Sequence, residues 1–417
     1  MKKILLLLAT LTLSIGTFAK VNTNVKTPIV VKTGLEVLRQ NGFKQLKGKK
    51  IGLVTNPTGV DNNLVSTIDI LYKASGVELV ALYGPEHGVR GDVHAGDKVD
   101  NFTDLSTGLP VYSLYGKTRK PNAQMLEGID AIVYDIQDIG CRSYTYISTI
   151  GMLMEAAAEY DKELIILDRP NPLGGEKVEG NLVEDGFISF VSQFKIPYLY
   201  GLTPGELALF LNGENMLGKK CKLVVVPMEG WQRNMVYSDT NLPWVLPSPH
   251  IPQAVSSYYY PVSGILGELG YVSIGVGYTI PFQIFCAPWI NADEFTAALN
   301  DLKLPGIEFR PLHIKPFYAN FAGENIQGTQ VYIMDYKQAR LSDIQFYVMQ
   351  VIADLYPSKA VFANADTKRF NMFDKVSGSK YVRETFSKNN KFSDIKDFWT
   401  KDEKAFRKIS SKYYLYK

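Results

Sequence analysis

Residues 50–57 read Lys50-Ile51-Gly52-Leu53-Val54-Thr55-Asn56-Pro57, a short apolar run that ends at once in a hydroxyl, an amide and a proline. A run without polar alternation suits a strand covered on both faces, the signature of a parallel sheet. The same grammar recurs downstream. Apolar residues 77–83 lead into Gly84-Pro85-Glu86-His87-Gly88, residues 131–134 into Asp135-Ile136-Gln137-Asp138, and residues 164–167 into Asp168-Arg169-Pro170-Asn171-Pro172. Helical periodicity over 63–74 and 146–160 separates these runs, and 122–126 reads as a short helix. Thr203-Pro204-Gly205-Glu206 has the form of a capping box with proline in the first turn, ahead of a helix and a further strand at 222–226. Strands alternating with helices give an α/β fold built on a mostly parallel sheet. In such a sheet the carboxyl ends of the strands converge on one crevice. The four polar loops therefore meet in space, which marks the chain as an enzyme. No Gly-x-Gly-x-x-Gly follows the first strand, so a dinucleotide has no fingerprint here.

Working outward, the amino terminus reads Met1-Lys2-Lys3, then an apolar run over 4–15, then Thr17-Phe18-Ala19. A charged start, a short greasy middle and small residues before a cut describe a secretory signal peptide over residues 1–19. The run is shorter than a membrane span requires, so the expected location is outside the inner membrane, periplasmic or secreted, with no stable membrane insertion after cleavage. A net charge of +3 over 417 residues gives no electrostatic case for nucleic acid or an anionic surface. Cys141, Cys221 and Cys286 are scattered and odd in number, which excludes a disulfide framework or zinc-ligand spacing.

Two units are expected, an α/β domain over 32–235 and a smaller α+β domain over 236–417. The second has a proline- and tyrosine-rich irregular stretch over 242–261 and a glycine-dense stretch over 264–277 that ends in strand-like alternation. Its clearest helices are expected at 293–302 and 341–355, and the Lys-rich segment 388–417 reads as a solvated helical surface.

Chemistry concentrates in the loops. Glu86 follows a buried strand and a proline, where partial desolvation suits a general acid; capping a backbone turn is the competing role. His87, Asp92, His94 and Asp97 have the composition of a zinc site but no known ligand spacing, so no metal or other cofactor is assigned. Asp135 and Asp138 are placed to hold an arginine or sugar hydroxyls, with Arg142 as a partner to both acids or a ligand contact. Tyr144 suits stacking on a substrate. Asn56, Arg90, Asp168, Arg169 and Asn171 supply amide, guanidinium and carboxylate groups on stiff loops. Ser248-Pro249-His250 and Gly267-Glu268 are candidates for the far wall of the crevice.

Several strings together resemble the exo-β-N-acetylmuramidase family. They are Gly52-Leu53-Val54-Thr55-Asn56, Gly84-Pro85-Glu86-His87-Gly88-Val89-Arg90-Gly91, Asp135-Ile136-Gln137-Asp138 with Tyr144-Thr145-Tyr146, and Asp168-Arg169-Pro170-Asn171-Pro172-Leu173-Gly174-Gly175. Pro227-Met228-Glu229-Gly230-Trp231 and Ala287-Pro288-Trp289-Ile290 extend the likeness into the second half. The resemblance implies a Rossmann-like first domain, a smaller second domain and a cleft between them. It implies release of terminal N-acetylmuramic acid from peptidoglycan-derived saccharides, with Glu86 as the catalytic carboxylate. On that reading the catalytic set is Glu86, His87 and Asp138. The second carboxylate that most glycosidases need is open among Asp92, Asp135, Asp138, Glu179 and Glu268. Asn56, Arg90, Asp135, Arg142, Tyr144, Asp168, Arg169, Asn171 and Glu268 would bind the sugar. One segment departs from the family pattern: where members carry Gly-Arg-Gly-Thr, this chain has Gly275-Val276-Gly277-Tyr278. A related aminosugar, a non-catalytic wall-sugar binder and a metal-dependent hydrolase using the His87/His94 loop are the alternatives. Oligomeric state is not legible.

Overall fold

The structure, a computed structural model, describes residues 30–86, 88–91, 102–116 and 118–417. Seven strands form the first sheet: β1 (Lys50–Thr55), β2 (Glu78–Gly84), β3 (Phe102–Thr103), β4 (Pro110–Ser113), β5 (Ala131–Asp135), β6 (Glu163–Leu167) and β7 (Lys222–Val226). Their order is β3-β4-β2-β1-β5-β6-β7, and every pairing is parallel except the short β3–β4 edge. Burial on both faces explains the unbroken apolar runs. In β5, Ile132 and Tyr134 face one layer while Ala131 and Val133 face the other. The first layer contains α3 (Tyr146–Glu159) and α4 (Pro204–Gly213); the second contains α1 (Gly34–Gln40) and α2 (Thr67–Lys73). The capping box read at α4 is present: Glu206 N–H donates to Thr203 Oγ1 and Thr203 N–H to Glu206 Oε2, both at 3.2 Å.

A second, three-stranded antiparallel sheet, ordered β8-β10-β9, consists of β8 (Ile284–Ala287), β9 (Ile307–Ile314) and β10 (Ile326–Ile333). It packs with α5 (Ala254–Gly267), α6 (Ala292–Asp301) and α7 (Ile344–Leu355).

Local competition explains the departures from sequence expectation. The helix expected over 63–74 starts only at Thr67, because Asp61 Oδ1 accepts the N–H groups of Asn63 and Val65 and holds a turn there. Residues 122–126 form turns rather than a helix, and Gly128 at φ 70° redirects the chain. The tyrosine-rich stretch is helical from Ala254, with Pro261 inside α5, because Tyr259, Val262, Ile265 and Leu266 build a face that is buried in the second core. The alternation near 273–276 yields a single bridge, Ser273 with Cys286, since Gly275 (φ 89°) and Gly277 (φ 94°) turn the backbone.

Segment 388–417 is helical with a solvated, lysine-bearing face, as expected, and it also buries an aromatic face. Trp399 and Phe406 are buried, and Phe406 and Tyr413 stack edge-on against Phe210 of α4. Tyr416 reaches back under the first sheet, where its hydroxyl donates to Asp168 Oδ2 at 2.5 Å.

Arg142 joins the parts. Its fully buried guanidinium donates from Nη1 to the carbonyls of Asn181 and Ile196, both at 2.7 Å, and from Nη2 to that of Val376 at 3.0 Å. Burial pushes its pKa down to about 10. Arg142 does not pair with Asp135 or Asp138 as expected: its Nη1 and Nη2 donate to core carbonyls, and its buried Nε has no partner in range. Replacing it leaves buried carbonyls without donors, each at a cost of about 1–3 kcal/mol. Arg142→Met is expected to lower unfolding free energy by at least about 3 kcal/mol, measured by chemical denaturation.

Candidate active site

From β1 the chain runs outward through β2 and β4 on one side and through β5, β6 and β7 on the other. The carboxyl ends of β1, β2, β5 and β6 therefore flank the point where strand order reverses, the place where open α/β sheets bind ligands. Glu86 leaves β2 here, half-buried after Pro85, and lines a cavity of about 200 Å³. Ser143, Tyr144 and Tyr146 form its floor from the start of α3, and Ser248, Pro249 and His250 form the opposite wall. Tyr260 of α5 and Phe282 close it from the second unit.

This wall is rigid. Tyr144 meets Tyr146 and Tyr260 edge-on, at centroid distances of 5.1 and 5.7 Å. Tyr146 donates to the Pro247 carbonyl at 2.5 Å, and Ser143 Oγ lies 3.3 Å from both the Tyr198 and Tyr260 hydroxyls. His250 Nε2 sits 3.0 Å from the Tyr318 hydroxyl. The buried Tyr144 hydroxyl lies beside Ser248 but outside hydrogen-bonding geometry.

Behind the tyrosines lie two groups with spare capacity. Asn56 Oδ1 accepts from Thr58 N–H at 3.0 Å and Thr58 Oγ1 at 2.5 Å, while its buried Nδ2 lies beside the Tyr146 hydroxyl but outside hydrogen-bonding geometry. Asp138 Oδ1 accepts from Gly140 N–H at 2.7 Å and the Tyr200 hydroxyl at 2.9 Å; its Oδ2 is buried without a partner. Burial pushes the Asp138 carboxyl up to about 7.

Phe282 and Tyr260 also border a second cavity of about 310 Å³, lined by Glu268, Val276, Asn320 and Arg369. Burial raises the Glu268 pKa, with Arg369 pulling the other way.

Other expected ligand contacts serve the scaffold. Asp135 accepts from Arg169 Nε at 2.5 Å and Nη2 at 2.9 Å and from the Thr67 hydroxyl, and both members are buried. Asp168 is buried and accepts from the Thr203 hydroxyl and Gly205 N–H, each at 2.7 Å, as well as from Tyr416. Asn171 bridges Leu173 N–H and the Leu202 carbonyl, at 2.9 and 3.0 Å. Arg90 grips Asp104 with two bonds of 2.7 and 3.0 Å, which raises its own pKa and lowers that of Asp104. Glu179 accepts Ser342 N–H at 2.8 Å and faces Lys177 at 3.6 Å. None of these side chains lines the two cavities. His87, Asp92, His94 and Asp97 lie outside the described residues; among those described, no cluster of three potential metal ligands occurs.

Residues 51–255 match the family model for the amino-terminal domain of the exo-β-N-acetylmuramidase NamZ, and residues 258–416 match that for its carboxy-terminal domain. The chain belongs to the NamZ exo-β-N-acetylmuramidase family. It is 41% identical over 412 residues to the peptidoglycan β-N-acetylmuramidase NamZ of Bacillus subtilis, covering 99% of this chain and 97% of that one. Two crystal structures of DUF1343 family proteins from Bacteroides fragilis are also similar. One is 65% identical with a TM-score of 0.91, covering 93% of this chain and all of the other. The second is 28% identical with a TM-score of 0.72, covering 93% and 99%.

Within this NamZ-family cleft, Tyr260, Phe282, Asn320 and Arg369 were not read as site residues from sequence. Tyr260 stood in a proline- and tyrosine-rich stretch that read as irregular. Phe282 gave no signal at all: its positive φ of 68°, rare for a bulky residue, is visible only in three dimensions.

The raised Asp138 pKa has a definite sign. Between about pH 4 and pH 7 the folded state keeps a proton that the unfolded chain has released, so stability falls as pH rises through that window. Asp138→Asn is expected to flatten this decline, checked by melting temperatures between pH 4.5 and 7.5.

Proposed function

We propose that this protein is an exo-acting glycosidase that removes terminal N-acetylmuramic acid from peptidoglycan fragments. The observation that carries the reading is Glu86 in a tyrosine-walled cleft at the sheet's reversal point, in a chain of the NamZ family. Aromatic faces suit the apolar face of a pyranose ring, and the cleft at Glu86 is lined by four aromatic side chains, Tyr144, Tyr146, Tyr260 and Phe282.

In the proposed reaction the bond between the anomeric carbon and the leaving oxygen breaks. Glu86 gives its proton to that oxygen, and water supplies the hydroxyl that ends on the anomeric carbon and the proton that restores Glu86. Among the described carboxylates considered for the second role, Asp135 and Glu179 are consumed by internal partners, and Asp138 sits behind the tyrosines. Glu268 is the one that lines the cleft, and it is assigned here to charge stabilisation or water activation. The Tyr144 hydroxyl, on a residue that lines the cavity and with donor capacity to spare, suits the acetamido carbonyl or a ring hydroxyl.

A general acid contributes about 10²–10⁴ in rate. Glu86→Gln is therefore expected to lower kcat on a chromogenic N-acetylmuramic acid glycoside by at least about 100-fold while KM changes little. Unchanged turnover would end the assignment.

Residues 1–19 are proposed to direct export, which brings the enzyme to the side of the inner membrane where the wall polymer lies. Mass spectrometry of the protein recovered from the periplasm or medium is expected to give an amino terminus at Lys20. An intact Met1 would refute cleavage.

A further inference from the structure

The cavity beyond Tyr260 and Phe282 differs in charge from the one at Glu86. Among the described residues, the first cavity is lined by no lysine or arginine, whereas the second is lined by one, Arg369. Arg369 ends a one-turn helix (Thr367–Arg369), and its Nη1 donates to the Glu268 carbonyl at 3.2 Å. That bond aims the guanidinium without using up its charge. Among the described residues, no carboxylate lies within 4.0 Å of it, and Nε and Nη2 make no hydrogen bond.

The site is shaped for this side chain. Gly270 has φ 59°, and a Cβ there would stand 2.8 Å from Arg369 Cζ and 3.0 Å from Nε. Gly264, Gly267 and Ser273 keep the remaining wall low, leaving room for a substituent beside the guanidinium. Glu268 shares the cavity, but none of its carboxylate oxygens lies within 4.0 Å of the guanidinium, so the free edge of Arg369 stays open. A planar guanidinium with two free N–H groups on one edge matches a carboxylate, which it can bind through paired hydrogen bonds.

We propose that Arg369 receives the carboxylate carried by the terminal sugar and so selects an acid-bearing aminosugar over its neutral counterpart. This rests on the glycosidase reading above, in which the terminal sugar is N-acetylmuramic acid with its lactyl carboxylate. It makes Arg369 a specificity residue, with Glu268 and Gly270 positioning it. Val276 lines the same cavity as an apolar neighbour, so the charge there comes from the Thr367–Arg369 turn and not from the Gly275–Gly277 loop.

The test compares kcat/KM for chromogenic glycosides of N-acetylmuramic acid and N-acetylglucosamine. Each carries one sugar, so any carboxylate effect belongs to the terminal residue. In Arg369→Ala the preference for the acidic glycoside is expected to fall at least about tenfold, with partial recovery in Arg369→Lys. An unchanged ratio overturns the proposal. So does an effect confined to a trisaccharide that bears a second muramic acid on the leaving side. If the wild-type protein hydrolyses neither glycoside, the glycosidase reading fails, and calorimetry still decides on Arg369. Free N-acetylmuramic acid should then bind more tightly than its methyl ester, and Arg369→Ala should abolish the difference; a difference that persists overturns the assignment.

Discussion

The cleft depends on where one cation is buried. Arg142 is sealed from solvent and neutralised by dipoles alone, three backbone carbonyls drawn from three distant segments. A guanidinium in that position is tolerable only if all three carbonyls stay in place, so it fixes the loops at 181 and 196 and the helix Phe370–Ser377 against one another. The residues directly after it, Ser143 to Tyr146, form the floor of the Glu86 cavity. The helix it touches through Val376 begins immediately after Arg369. Both walls of the cleft are thus referenced to a single planar group. A site that must discriminate between sugars differing by one substituent needs such a reference, because an error of an ångström between the walls would blur the distinction.

Much of the architecture was legible because parallel strands leave a simple trace. Runs such as Ile51 to Val54 are apolar on both faces, and the polar residues that follow each run necessarily gather at one edge. The capping box at Thr203 was legible for the same reason, being a local hydrogen-bond pattern with local spelling. What sequence could not separate was the use to which each polar residue at that edge is put. Asp135, Asp168, Arg169 and Asn171 resemble ligand contacts in composition, yet they are consumed in holding the loops together. Whether a carboxylate meets an arginine from the next loop or a substrate depends on a few ångströms of side-chain reach, which no spacing encodes.

The second wall was harder to read for a different reason. Tyr260, Phe282 and Arg369 come from a helix, a strained turn and a one-turn helix, and nothing periodic links them. Their meeting is a product of packing in the second core, where Tyr260 lies 4.9 Å from Phe282. Family strings named Glu86 but carried no information about Arg369, which lines the neighbouring cavity beside Val276.

Tyr416 sets a condition on how the molecule comes into being. Asp168 at the end of β6 is buried and accepts a hydrogen bond from this residue, while Leu415 N–H donates to Glu206 and Arg233 N–H to the Lys417 carbonyl. The first sheet therefore acquires its last partners from chain made long after β7. Domains often fold in order of synthesis, amino-terminal half first. Here the buried Asp168 and Glu206 of that half find partners in Tyr416 and Leu415, so its hydrogen bonding is complete only when the carboxy-terminal segment is in place.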